Sequence, residues 1–105
     1  MDVLELYFEK LLQLSKVLAS DVRLSIVFKL KEENLTSAQL QKKLDKSQSQ
    51  ISTHLNKLID ADIVQADIDG KSKIYSIRDR RIFSVLEKMK QFVDPKEREK
   101  ADLLL

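Results

Sequence analysis

The sequence contains no cysteine, and only one glycine, one proline and one histidine among its 105 residues. Without cysteine, disulfides, thiolate metal sites and cysteine nucleophiles are excluded. A single histidine cannot form a metal site within one chain, so we expect neither a metal ion nor a cofactor. The shortage of glycine and proline, with 43% hydrophobic and 34% charged residues, is typical of a compact and mostly helical protein.

Long apolar runs are also absent, because no stretch reaches the roughly 18 residues needed to span a bilayer. The N-terminal residues MDVLELYFEKL carry acidic side chains where a signal peptide would carry basic ones. We therefore expect a cytoplasmic protein with no membrane partner. No Gly-rich phosphate loop, nucleophile motif or paired-carboxylate pattern stands out, so an enzyme is the least favoured class.

The net charge of +2 is too small to indicate a nucleic-acid partner by itself, but the charges are unevenly distributed. Residues 1–70 hold 9 Lys and Arg against 11 Asp and Glu, whereas residues 71–100 hold 10 against 5, a balance of +5. The basic segment begins directly after the only glycine, Gly70.

Helical periodicity describes the first half of the chain. Apolar residues at steps of three and four predict one helix over residues 4–18 and a second over residues 24–30, which Ser20 or Asp21 can cap. The segments Thr36 to Gln39 and Ser47 to Gln50 then predict two capping boxes, each with a hydroxyl followed three residues later by glutamine.

The connection between the third and fourth predicted helices is short. Only Asp45-Lys46 separates them, so the two helices must cross steeply, as in a helix-turn-helix. After Ala61 the apolar period changes from 3.6 to 2, and residues 63–68 and 72–77 predict two strands around Asp69-Gly70. The glycine lies where a hairpin turn needs a positive φ.

A last amphipathic helix is predicted over residues 82–93, which gives the order α-α-α-α-β-β-α. We interpret this order as a mainly α fold with a small β-hairpin, a single winged helix-turn-helix domain over residues 1–94. Residues 95–105 are expected to form a short C-terminal helix or a frayed tail.

The helix predicted over residues 47–61 has one apolar and one polar side. The buried side is predicted to be Ile51, Leu55, Leu58 and Ile59. Because the second helix of a helix-turn-helix lies in the major groove, the short polar side chains opposite are predicted to contact double-stranded DNA. They are Gln48, Ser49, Ser52, Thr53, Asn56 and Lys57. Helix capping accounts for Ser47 and Gln50 but leaves the other hydroxyls and amides unexplained.

The predicted hairpin carries basic residues at its tip. Lys71 and Lys73 are candidate phosphate contacts, as are Arg78, Arg80 and Arg81 after the hairpin. Two nearby aspartates weaken the local positive field, so an ordinary solvated hairpin stays an alternative. The histidine, at position 54 beside an apolar residue, is expected to be a boundary residue that packs beside the hairpin.

The terminal helices carry more apolar surface than the short elements between them can cover, which predicts a homodimer. We name this set the terminal-helix surface, and it consists of Leu4, Tyr7, Phe8, Leu11, Val85, Leu86, Met89 and Phe92.

Four segments carry a resemblance to a known family. They are Ser20 to Leu24, Ser47 to Leu55, Asp60 to Val64 and Gly70 to Tyr75. Together they resemble the ArsR-type winged helix regulators over roughly residues 14 to 93, and the SQSxxSxHL element is the most specific part. The resemblance implies a homodimeric transcriptional repressor with its interface on the terminal helices and DNA contacts from Gln48, Ser49, Ser52 and Thr53. Two subunits related by a two-fold axis would place their helices on the half-sites of a palindromic operator.

The chain departs from that family at four places. Leu35-Thr36-Ser37 replaces the family's paired cysteines, and Arg81 stands where a metal-binding histidine would help, so no metal effector is expected. Val22 replaces the usual proline at the start of the second helix. Asp62 replaces the usual glycine before the first strand of the hairpin.

A second function stays open, in which the fold is a protein-interaction module within a larger assembly. Such a surface would more often present exposed aromatics or leucines on the helix face that otherwise meets DNA. Lys57 and the hairpin lysines Lys71 and Lys73 favour DNA over a protein partner.

Overall fold

In the computed structural model, which describes residues 1–94 and Lys96, the chain forms six helices and one antiparallel hairpin. The helices are α1 (Val3–Leu6), α2 (Phe8–Leu18), α3 (Asp21–Glu32), α4 (Ser37–Leu44), α5 (Gln48–Asp60) and α6 (Arg81–Val93). The strands β1 (Val64–Asp69) and β2 (Ser72–Ile77) pair between α5 and α6, and we call this hairpin the wing. The predicted fold class, mainly α with a small hairpin, is confirmed.

The first predicted helix is divided in the structure. The single helix expected over residues 4–18 is interrupted at Tyr7, whose φ of −103° and ψ of 11° leave the helical range. The Tyr7 amide donates to the carbonyl of Leu4 at 3.2 Å, which closes α1 after one turn. None of the residues of α1 is buried, so packing against the described part of the chain gives a continuous helix little support.

The helix starts follow the predicted caps. Ser20, rather than Asp21, caps α3 and accepts a hydrogen bond from the Arg23 amide. Thr36 with Gln39 and Ser47 with Gln50 form both capping boxes as predicted. These caps satisfy amides that a helix start leaves without intrahelical partners, so they fix where α3, α4 and α5 begin.

The end of α5 is shaped by Asp62, the residue in the glycine position of the ArsR-type sequences. Its φ of 60° lies in the left-handed region. The Asp62 amide donates to the Ile59 carbonyl at 2.9 Å and the Ile63 amide to the Leu58 carbonyl at 3.0 Å, the bonds of a Schellman motif. Asp62 also accepts a hydrogen bond from Arg78 at 3.0 Å, which ties this corner to the end of the wing.

We expect two substitutions of Asp62 to change stability in opposite directions. Asp62→Gly removes the left-handed strain but also the exposed ion pair with Arg78. The net effect should be a free energy of unfolding higher by roughly 0.5 kcal/mol. Asp62→Val places a β-branched side chain at the same φ and should lower it by about 1–2 kcal/mol. Urea denaturation measures both values, and equal values for the two variants would contradict this account of the corner.

The wing turn lies one residue later than predicted. Asp69 pairs with Ser72, so the two turn residues are Gly70 and Lys71 rather than Asp69 and Gly70. Gly70 has a φ of 63°, as the prediction required of it. At the base of the wing, backbone bonds between Leu35 and Tyr75 attach β2 to the segment between α3 and α4. The wing is therefore held by the body of the domain at one end and exposed at the other.

The hydrophobic core lies between α3, α4, α5 and the base of the wing. Its fully buried side chains come from all four of these parts, so the helix-turn-helix and the wing share one core. They are Ile26, Val27, Leu30, Leu35, Leu40, Ile51, Leu55, Leu58 and Val64. Ile51, Leu55 and Leu58, three of the four residues predicted to form the buried side of α5, are among them. The fourth, Ile59, is half-buried.

The tail prediction falls mostly outside the described residues. Residue 95 and residues 97–105 are not covered, so the choice between a short helix and a frayed tail is not decided. The Lys96 amide donates to the Asp94 side chain at 2.9 Å. Among the residues that the structure describes, no helix has the length and apolar character required to cross a membrane.

Candidate nucleic-acid interface

The helix α5 presents a continuous polar face to solvent. Its inner side is held in the core by Ile51, Leu55 and Leu58. Because successive residues of a helix are rotated by about 100°, Ser49, Thr53 and their neighbours lie on the opposite side. The predicted contacts on this face are all exposed, and they are Gln48, Ser49, Ser52, Thr53, Asn56 and Lys57. A protein-docking face would require exposed large apolar side chains, and α5 has none.

The hydrogen bonds within α5 divide these exposed groups into two kinds. The Thr53 hydroxyl donates to the Ser49 carbonyl at 2.8 Å, and the Ser49 hydroxyl lies 3.3 Å from that of Ser47. Within the described part of the chain, the side chains of Gln48 and Ser52 have no hydrogen-bond partner. These two residues therefore keep their full donor and acceptor capacity for a ligand in front of the helix.

Lys57 is set apart from the other predicted contacts. It is exposed, but it lines a shallow groove of about 330 Å³ together with Gln13 and Lys16 of α2. It also lies nine residues after Gln48, a rise of roughly 13 Å along the helix. Lys57 therefore lies on the flank of α5 that faces α2, away from the start of the helix.

On the wing, Lys73 lies on a different face from Asp67, and Lys71 lies in the turn. The cross-strand partner of Lys73 is Ile68. Asp67 precedes Ile68 on β1, and its cross-strand partner is Ile74. Because side chains alternate across a strand, Asp67 points to the opposite face from Lys73. Neither Lys71 nor Lys73 makes an ion pair among the described residues, so both ammonium groups are available to an anion.

The three arginines after the wing are already engaged by neighbouring groups. Arg78 pairs with the aspartate at the end of α5, and the Arg80 guanidinium lies 5.2 Å from the centre of the Phe83 ring. Arg81 makes a bidentate pair with Asp79, with its shortest contact at 2.6 Å. The side-chain hydrogen bonds from Arg81 lower the pKa of Asp79 to about 2. The predicted phosphate contacts are therefore more accessible on the wing than on these arginines.

Sequence analysis missed the role of Arg23. This residue is only 8% exposed, and its guanidinium bonds the end of α2 and the side chain of His54 on α5. His54 is a half-buried boundary residue, as expected, and its ring contacts Arg23 of α3. The sequence does not show this partner, which lies 31 positions away.

The pKa of His54 is lowered from its ordinary value of 6.5. Burial of the ring is the largest cause, followed by the positive charges of Arg23 and Lys57, while Asp21 acts in the opposite direction. Since the arginine can only donate, its bond to Nδ1 at 3.0 Å requires a neutral ring with its proton on Nε2.

The terminal-helix surface is mostly open to solvent. Seven of its eight members are exposed, and only Leu86 is half-buried, beside Phe28 and Phe83. Between α2 and α6 lies an apolar cleft of about 370 Å³, to which Leu11, Val85 and Met89 contribute. The described part of one chain leaves this surface uncovered.

Comparison with known proteins gives both a family match and structural neighbours. Residues 20–66 match the family described as bacterial regulatory protein, arsR family. The search of curated proteins gave no match at a significant level. The structure is similar to that of reduced HlyU from Vibrio cholerae N16961, with a TM-score of 0.76 and 23% identity, covering 90% of this chain and 99% of that one.

Two further solved structures are similar at the same level. The transcriptional repressor BigR from Xylella fastidiosa matches with a TM-score of 0.74 and 21% identity, covering 86% of this chain and 92% of that one. The other is Mb0332 from Mycobacterium bovis, which is described as a homodimeric winged helix-turn-helix DNA-binding domain and a possible ArsR-family transcriptional regulator. It matches with a TM-score of 0.74 and 18% identity, covering 87% of this chain and 88% of that one.

The fold of the described residues is a winged helix-turn-helix. The family match covers α3, α4, α5 and the start of β1, which include the polar face of α5 but not Lys71 and Lys73 of the wing. Over these residues the chain is similar to the ArsR-type regulators.

Proposed function

We propose that the protein is a homodimeric repressor that binds a palindromic site in double-stranded DNA and acts in the cytoplasm without a metal effector. The observation that carries this proposal is the exposed polar face at the start of α5, where the side chains of Gln48 and Ser52 have no hydrogen-bond partner among residues 1–94 and Lys96. Such short side chains can approach base edges in the major groove. A protein bound over a promoter excludes polymerase, and the similar protein BigR is described as a transcriptional repressor.

The homodimer is supported by the terminal-helix surface. An exposed apolar area of this extent usually marks an interface, and a second copy of the same surface is self-complementary about a two-fold axis. The similar domain of Mb0332 is described as homodimeric. Two α5 helices related by that axis would meet half-sites about one helical turn apart or a multiple of it, which makes the site palindromic.

Metal independence is supported by the donor residues present. The chain has no cysteine, and its one histidine has its Nδ1 atom bonded to Arg23. Zinc added at constant ionic strength should therefore leave the DNA affinity unchanged within about twofold. A tenfold change measured by fluorescence anisotropy would contradict the proposal.

The wing lysines are proposed to anchor the protein on phosphates. Lys71→Ala or Lys73→Ala should weaken binding to any duplex and reduce the magnitude of the salt slope by roughly one per lost contact per chain. Titration of a random-sequence duplex at several salt concentrations measures the slope. Asp67→Ala, on the opposite wing face, serves as a control that should not reduce the slope.

This titration also tests the proposed function as a whole. Wild-type protein should bind duplex DNA with an affinity that falls steeply as salt is raised. Affinity that is independent of salt, or unchanged in both lysine variants, would refute the proposed role of the wing. A chain that binds no duplex at low salt would refute the DNA-binding function itself.

A further inference from the structure

The guanidinium of Arg23 connects three helices at one point. It lies on α3, and its Nε and Nη2 atoms donate to the carbonyls of Val17 at 2.5 Å and Lys16 at 3.1 Å, near the end of α2. Its Nη1 atom donates to Nδ1 of His54 on α5 at 3.0 Å. All these acceptors are oriented toward a side chain that is almost fully buried.

We propose that Arg23 is a positioning residue, which through His54 holds the recognition helix α5 at a fixed orientation to the dimer helix α2. The inference rests on the proposed function, because it takes α5 as the reading helix and α2 as part of the dimer interface. In a dimer built on α2, the position of each α5 relative to α2 sets the distance between the two reading helices. The bond between Arg23 and His54 therefore favours simultaneous contact with both half-sites.

The contact depends on the charge of the histidine. A neutral ring accepts from Arg23 at Nδ1, whereas a protonated ring has no acceptor there and adds a like charge. The charged groups around the ring are Arg23 and Asp21 on α3, Lys57 on α5 itself, and Lys46 in the turn before α5. Three of these four are cations, so the neutral ring and the intact contact are favoured at neutral pH.

The same histidine determines in which direction the stability of the fold changes with pH. Because its pKa is lowered in the folded protein, the unfolded chain binds a proton more readily below pH 6.5. The contribution of the contact is thus complete above that pH and decreases as the pH falls below it. No other side chain type in this sequence normally titrates between pH 5 and 7, so the histidine can be followed by itself.

Two substitutions of His54 separate the contact from the charge. Asparagine places its Oδ1 atom where Nδ1 lies and does not titrate, whereas leucine removes the acceptor and keeps an apolar bulk. Binding is measured at pH 7.5 and pH 5.5 for a selected duplex, meaning one that the wild-type protein enriches from a random DNA pool, and for a scrambled duplex of equal length. The readout is the ratio of the two affinities, which cancels non-specific attraction to phosphates and any loss of folded protein.

We expect the ratio of His54→Leu at pH 7.5 to be roughly tenfold below that of wild-type protein, the effect of losing one charge-assisted hydrogen bond in each chain. His54→Asn should keep a high ratio at both pH values, and His54→Leu should have a low ratio at both. The ratio of wild-type protein should decrease toward that of His54→Leu as the ring binds a proton below pH 6.5. The asparagine variant keeps the test decisive if the leucine variant folds poorly, because its ratio at pH 7.5 should equal that of wild type.

Two outcomes would overturn the inference. One is a His54→Leu ratio equal to that of wild type at pH 7.5, and the other is a His54→Asn ratio as low as that of His54→Leu. Either result, obtained with a wild-type protein that distinguishes the two duplexes, leaves the proposed function intact. A wild-type protein that binds both duplexes equally at pH 7.5 would instead overturn the proposed function, and the inference with it.

Discussion

Leu11→Glu should convert the protein from a dimer to a monomer and lower its affinity for a palindromic duplex at least about a hundredfold. Leu11 is 44% exposed in one chain and borders the apolar cleft between α2 and α6. A two-fold interface contains each residue twice, so the substitution would place two unpaired carboxylates in an apolar contact. A monomer also loses the effective concentration that links the two half-sites, which is typically a factor of 10² to 10⁴.

Sedimentation at micromolar concentration gives the mass, and anisotropy with the same duplex gives the affinity. Ile68→Glu is a control for the mass, because Ile68 is an exposed apolar residue on the wing, away from the terminal-helix surface. It should leave the dimer intact. A Leu11→Glu protein that retains the dimer mass, or a wild-type protein that is already monomeric, would contradict the proposed interface.

Gln48→Ala combined with Ser52→Ala should reduce affinity for the selected duplex strongly and leave a scrambled duplex almost unaffected. Each base contact is expected to contribute about 1–3 kcal/mol, and each occurs once per half-site. These side chains have no hydrogen-bond partner among the described residues, so alanine removes a contact to DNA without breaking one inside the protein. We expect the specificity of the double variant to relax at the bases they meet.

Ser47→Ala is the control for this prediction. Ser47 caps α5 through the amide of Gln50, so its loss should lower the free energy of unfolding by about 1 kcal/mol. It should not change the ratio between selected and scrambled duplexes in folded protein. Equal losses on both duplexes for the Gln48 and Ser52 variant would refute the assignment of these residues as readers.

The structure changes the expectation for Thr53. From the sequence alone, Thr53 is equivalent to Gln48 as a reading residue, because both lie on the polar side of the helix. Its hydroxyl proton is directed at the Ser49 carbonyl, so only its lone pairs and its methyl group face outward. Thr53→Ala should therefore cost less specific affinity than Gln48→Ala.

Local rules were sufficient for much of the fold. The capping boxes, the buried side of α5 and the positive φ of Gly70 depend on residues within four positions of one another, so a single sequence contains the necessary information. The same reasoning located the polar side chains of the candidate DNA face, because helix periodicity assigns them once the buried side is known.

Features that depend on distant or weak contacts could not be predicted in this way. The bond from Arg23 to His54 joins positions 31 apart, and no local pattern indicates it. The interruption at Tyr7 reflects little tertiary support for α1 from the described part of the chain, which periodicity does not detect. Lys57 shares the polar side of α5 in a helical projection, and only the placement of α2 shows that it lies on a flank.

The most direct test of the central claim is selection of bound duplexes from a random DNA pool by the wild-type protein at physiological salt. The proposal predicts enrichment of a palindrome whose half-sites are about one helical turn apart or a multiple of it. It also predicts that the Gln48 and Ser52 double variant enriches this sequence less. A pool that stays random after repeated rounds would contradict the claim that the polar face of α5 reads DNA sequence.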